Sequence, residues 1–101
     1  MAKQTIHAIW NNIAITIGYV PNYSNSVKEL TGETLSHIEV RSANQEKLPI
    51  TETGYRSHFT AKKEIEMYGG AESYVLKWLN QESQSKEWQD YFLSSQQLTL
   101  F

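Results

Sequence analysis

Apolar residues recur at every second position on either side of one dipeptide in the first twenty residues. Ile6, Ala8 and Trp10 precede the dipeptide Asn11-Asn12, and Ile13, Ile15, Ile17 and Tyr19 follow it. Asparagine tolerates the positive φ angles that a two-residue hairpin turn demands. A turn at Asn11-Asn12 places Trp10 opposite Ile13, Ala8 opposite Ile15 and Ile6 opposite Ile17. All six then share one face, so turn chemistry and hydrophobic pattern agree on one register.

The pattern then changes. Residues 21–32 (PNYSNSVKELTG) are rich in turn formers and predict a long connection, with a brief helical turn over 27–30. The segment TLSHIEVRS puts Ile38 and Val40 on one side and His37, Glu39 and Arg41 on the other, as in a half-buried strand. After the polar loop ANQEK, residues 48–59 read as extended, with Pro49 and Gly54 marking an edge or an interruption. Thr60 is placed to cap a short helix over 61–68, which Gly69-Gly70 stops. Residues 71–81 carry Val75, Trp78 and Leu79 on one helical stripe with Tyr74 beside it. A third helix over 86–95, capped by Ser83 or Ser85, carries Trp88, Tyr91 and Phe92.

Strands first and helices last predict an α+β fold. We expect an N-terminal β-hairpin plus one or two further strands in a mainly antiparallel sheet, followed by two or three C-terminal helices. Residues 1–93 form the single domain in this reading, and residues 94–101 a flexible C-terminal peptide.

Composition narrows the classes of function. A chain of 101 residues that is 40% hydrophobic supports one core. No run approaches the roughly 18 apolar residues of a membrane span, and the first residues lack the pattern of a secretory signal. There is no cysteine, hence no disulfide framework and no thiolate chemistry. A cytoplasmic protein is expected. The net charge is −2, with nine basic residues scattered among eleven acidic ones. Phosphate recognition needs concentrated Lys and Arg, so direct nucleic-acid binding is not expected.

The chain ends in SSQQLTLF, where an apolar terminus needs a place to go. Gln97, Leu98, Leu100 and Phe101 resemble the bacterial sliding-clamp-binding peptide, of general form Gln-Leu-x-Leu-Phe, at all four specified positions. Such a match arises by chance roughly once in 10⁴–10⁵ positions. An extended peptide docks by placing alternate side chains in pockets while its backbone bonds to the partner. The resemblance implies that Gln97 takes a small polar subsite and that Leu100 and Phe101 fill a deep apolar one, with Ser94 to Gln96 as a spacer. The alternative is a terminal strand or a tail packed beneath the last helix.

A second candidate lies in PITETGYRSHF. Glu52, Tyr55, Arg56 and His58 form a possible ligand or partner site there. Arg56 is suited to clamp a carboxylate or phosphate, and His58 to carry a proton near neutral pH. Gly54 allows close approach of a ligand or of another backbone. The alternative is a solvated edge strand with Tyr55, Ser57 and Phe59 inward and Arg56 paired to a glutamate. The stretches LPITETGYRSHF, YGG and YVLKWL together resemble small uncharacterised bacterial proteins of plasmid or phage type, a resemblance that implies no activity.

Metal and catalytic motifs do not emerge. His7, His37 and His58 have no common metal-ligand spacing, and His37 with Glu39 reads more simply as a solvated strand face. No phosphate loop or nucleophile elbow is present. An acid–base pairing of Glu52 with His58 requires the two to meet in a concave pocket. We therefore expect no cofactor and no metal. The expected function is that of a non-enzymatic accessory protein of bacterial DNA replication or repair, or of a mobile element, bound to the sliding clamp through its tail.

Overall fold

The hairpin forms in the register that alternation predicts. In a computed structural model describing residues 3–24 and 34–98, strand β1 (Gln4–Trp10) pairs antiparallel with β2 (Ile13–Ser24). Trp10 faces Ile13, Ala8 faces Ile15 and Ile6 faces Ile17. Asn11 and Asn12 take φ of 51° and 65°, the left-handed pair that matches a two-residue turn to strand twist.

Strand β2 is longer than its sequence indicates. It continues through Pro21 to Ser24, where a connection was expected, with a register shift against the next strand between Val20 and Ser24. Proline has no N–H for the ladder, so the irregularity falls where the donor is missing. The Pro21 carbonyl is used all the same: it accepts a 2.7 Å hydrogen bond from the fully buried Ser36 hydroxyl. The helical turn expected over 27–30 lies outside the described residues.

Strand β3 (Leu35–Ser42) pairs with β2, and β4 (Tyr55–Ala61) with β3, giving one antiparallel sheet in the order β1-β2-β3-β4. Three helices follow: α1 (Lys62–Met67), α2 (Ala71–Glu82) and α3 (Lys86–Leu98). The architecture is α+β, as the order of patterns predicts. Ile15, Ile17, Ile38 and Val40 cover one face of the sheet, and Ile65, Ala71, Val75 and Leu79 cover it from the helices. In α2 the buried residues are spaced four apart, so a single stripe meets the sheet while Tyr74 and Trp78 flank it.

The helix junctions follow local chemistry. Gly69 at φ 92° donates to the Glu66 carbonyl and Gly70 to the Ile65 carbonyl, each at 3.1 Å, the paired bonds of a glycine-terminated helix end. Ser85 accepts a 3.2 Å bond from the Trp88 amide and caps α3. Thr60 does not cap α1. Strand β4 runs on to Ala61, and the Thr60 hydroxyl donates instead to the Glu64 carboxylate at 2.7 Å. Helix α3 continues to Leu98, so 94–98, read as the start of a flexible peptide, carry helical backbone. Thr99, Leu100 and Phe101 lie outside the described residues.

Candidate functional site

The segment between β3 and β4 is built on short-range bonds. Leu48 and Thr51 exchange backbone hydrogen bonds of 2.9 and 3.1 Å around Pro49, whose fixed φ suits the second position of a turn. Leu48 and Ile50 drop into the core and anchor the segment from below. The Thr51 hydroxyl donates to the Tyr55 carbonyl at 2.8 Å, so the turn leads directly into β4. Gly54 sits at φ 81° and its carbonyl accepts the Ser42 amide at 2.9 Å. A Cβ at Gly54 would stand 2.6 Å from the Ser42 hydroxyl and 2.7 Å from the Gln45 backbone. The close approach that Gly54 permits is therefore to another stretch of this chain.

Strand β4 turns its faces opposite to the expected edge-strand arrangement. Tyr55, Ser57 and Phe59 lie across from Arg41, Glu39 and His37 on the outer face of the sheet, whereas Arg56 and His58 lie across from Val40 and Ile38 on the helical side. The reason is that α2 offers these polar side chains aromatic partners. The Arg56 guanidinium carbon is 5.7 Å from the centroid of Trp78, and its Nη1 is 3.5 Å from the Ile50 carbonyl. The ion pairs among the described residues are Lys3–Glu39 and Lys86–Asp90, so the expected Arg56–glutamate pair does not form there.

Glu52, Tyr55 and Arg56 converge on one cleft of about 480 Å³. Lys47, Glu87 and Trp88 complete its charged and aromatic lining, with α3 forming one wall. His58 does not line it. Its Nε2 is instead 3.1 Å from the Tyr74 hydroxyl, and its ring lies 4.7 Å from that of Trp78. Burial, reinforced by the Arg56 charge, lowers the His58 pKa from 6.5 against the opposing pull of Glu64, and so favours the neutral ring. Burial likewise raises the Tyr74 hydroxyl. The structure thus separates His58 from Glu52 and gives it Tyr74 as its polar partner.

A second grouping occupies the outer face, and the sequence reading missed it. Tyr23, His37 and Phe59 come from three strands and meet with ring centroids 4.5–5.3 Å apart. His37 Nε2 also contacts the Ser57 hydroxyl at 2.7 Å. Further along β3, Glu39 is held by Lys3 at 2.9 Å, a bond that keeps its carboxyl below the usual range despite partial burial. The Arg41 guanidinium lies 4.4 Å above the centroid of Tyr55. Alternation alone showed that these residues share a face, but Tyr23 falls in the segment that reads as a connection, which hid the cluster. Among the described residues, no group of three or more His, Asp or Glu side chains is placed to hold a metal ion.

No curated protein and no solved structure matches the chain. A family model, that of the KlcB third domain, matches residues 3–88, from the start of the hairpin to the tryptophan that closes the core. With 3–88 of 101 residues matched, the chain belongs to the KlcB third-domain family.

Proposed function

We propose that this chain is a non-enzymatic accessory protein of bacterial DNA replication or repair, or of a mobile element, which binds the sliding clamp through Gln97, Leu98, Leu100 and Phe101. One observation supports the tail as a ligand above the others: among residues 89–94, which lead into the peptide, no side chain joins the core that Trp88 enters. Tyr91, Phe92 and Leu93 beyond it are all exposed, the last at 57%. The family match also stops at residue 88, leaving the peptide outside it.

Docking in extended form requires the last turn of α3 to unwind at Gln97 and Leu98. That step is cheap, because the final carbonyls of a helix have no intrahelical partner and helix ends open with free energies near zero. Three buried apolar side chains at roughly 1.5–3 kcal/mol each support a micromolar complex if ordering costs are modest. The test is fluorescence polarisation of a labelled 94–101 peptide against a bacterial sliding clamp, with the Gln97→Ala, Phe101→Ala double variant as control. Micromolar binding lost in the variant supports the reading, and absence of binding ends it.

The cleft supports a second reading, a small-ligand or protein-binding domain. Glu52, Tyr55 and Arg56 meet there with charges of both signs beside Trp88. In that reading Arg56→Ala impairs binding while leaving the thermal melt in place. His58 contributes to it through the packing of β4 on α2 rather than by lining the cleft.

A further inference from the structure

The net charge of −2 is a property of the whole chain, and the fold distributes it unevenly. On the outer face of the sheet the register leaves Glu39 as the one acidic position among the described residues. Lys3 already neutralises it at 2.9 Å. The remaining described carboxylates stand in the loop before β4 or on the three helices, which pack against the opposite face. Arg41, exposed and in no ion pair among the described residues, gives the outer face a cationic balance. A polyanion repelled by the helical layer is therefore not repelled by the sheet.

That face also carries stacking groups. Tyr23 and Phe59 are 39% and 48% exposed, and each is braced by the His37 ring at 4.5–5.3 Å. Four residues along β3 from His37, about 13 Å at strand spacing, stands Arg41 over Tyr55. Between them and the β1 edge lies a hollow of about 130 Å³ lined by Lys3, Thr5, Thr16, Gly18, Glu39 and Arg41. Gly18 lets the end of the Lys3 side chain lie close over the backbone of β2, where an added Cβ would stand 2.5 Å from it and make it swing aside. Exposed rings on an open sheet, followed by cations and hydroxyls one or two nucleotides away, match unstacked bases on an anionic backbone.

We propose that the outer face of the sheet binds single-stranded nucleic acid, with bases stacked on Tyr23 and Phe59 and the backbone running past Arg41. This surface is separate from the tail and meets the cleft only at Tyr55, which the stacking residues Tyr23 and Phe59 do not touch. Few phosphates are engaged, so the salt dependence is shallow, with a log–log slope of about −1 to −2.

The test is fluorescence anisotropy of the full chain with labelled twelve-residue oligomers of deoxythymidine and uridine, and with a duplex of equal length. Saturable binding of either single strand is expected, weaker for the duplex. Phe59→Ala and Tyr23→Ala should each raise Kd about fivefold or more. Arg41→Glu should weaken binding and flatten the salt slope. All three positions are exposed, and thermal melts verify that each variant folds. Deleting residues 99–101 should leave binding unchanged, which separates this surface from the clamp-binding tail. The proposal is overturned by absence of saturable binding, by equal affinity for duplex, or by folded Phe59→Ala and Tyr23→Ala variants that bind normally. A Phe59-dependent dimer without oligomer binding overturns it too, and assigns the face to a second copy of the chain.

Discussion

Trp10 from the first strand and Trp88 from the last helix meet with ring centroids 5.7 Å apart and planes inclined by 50°. Trp10 ends β1 and donates its indole N–H to Asn80 Oδ1 at 2.8 Å. It is thereby fixed from α2 on one side and covered by α3 on the other. Over residues 86–94 of α3, Trp88 is the one side chain in the core, supplemented on the surface by Lys47 over the Tyr91 ring at 4.5 Å. The attachment of α3, and with it the cleft wall, depends chiefly on this ring pair.

Trp88→Ala should therefore cost about 3–5 kcal/mol, the range for emptying a buried aromatic site. Urea denaturation followed by far-ultraviolet circular dichroism measures this directly. A midpoint unchanged from the parent would mean that α3 is not held through Trp88. Asn80→Ala should cost about 1–3 kcal/mol, because the indole N–H of the nearly buried Trp10 loses its partner.

Gly54→Ala should destabilise the protein although it adds only a methyl group. The residue holds φ at 81°, and its Cβ would meet the Gln45 backbone at 2.7 Å, where no flexible side chain can give way. Backbone strain of this type costs on the order of 1–3 kcal/mol. Loss of the Ser42–Gly54 bond would also loosen the turn that places Glu52 in the cleft. A melt indistinguishable from the parent would show that the 43–54 segment relaxes freely.

Much of this fold is legible in the sequence, and the failures have definite causes. The hairpin is readable because Asn11-Asn12 and the alternation of Ile13, Ile15 and Ile17 demand the same register. The stop at Gly69 is readable because only glycine takes that backbone cheaply. Strand β4 reads inside out because hydrophobicity favours burying Tyr55 and Phe59, whereas α2 supplies Tyr74 and Trp78 as partners for His58 and Arg56. Local pattern carries no information about which groups a distant helix will present. The same limit separates Glu52 from His58: they are near in sequence, yet one lines the cleft and the other does not.

The pH dependence of stability should reveal the environment of His58. Its folded pKa is lowered below 6.5, chiefly by burial, so the unfolded chain takes up the proton first as pH falls. Stability is then complete above about 6.5, declines as pH drops toward the folded pKa, and levels off below it. His58→Gln, which retains a polar partner for Tyr74 without titrating, should flatten that decline. Melting temperatures of parent and variant between about pH 5 and 7.5 test the assignment. Parallel curves would show that another group carries the acid sensitivity.

Removal of Phe101 separates the two uses of the C-terminus most cleanly. If the peptide serves a partner, the core that closes at Trp88 is indifferent to its loss, and stability changes by less than about 0.5 kcal/mol. Clamp affinity, by contrast, should fall about tenfold or more, since one aromatic side chain buried in an apolar pocket supplies on the order of 1.5–3 kcal/mol. A tail packed beneath α3 predicts the reverse pattern: a lowered melting temperature and no clamp affinity to lose. Measuring both quantities on the same truncated protein is decisive, because each reading forbids the combination that the other requires.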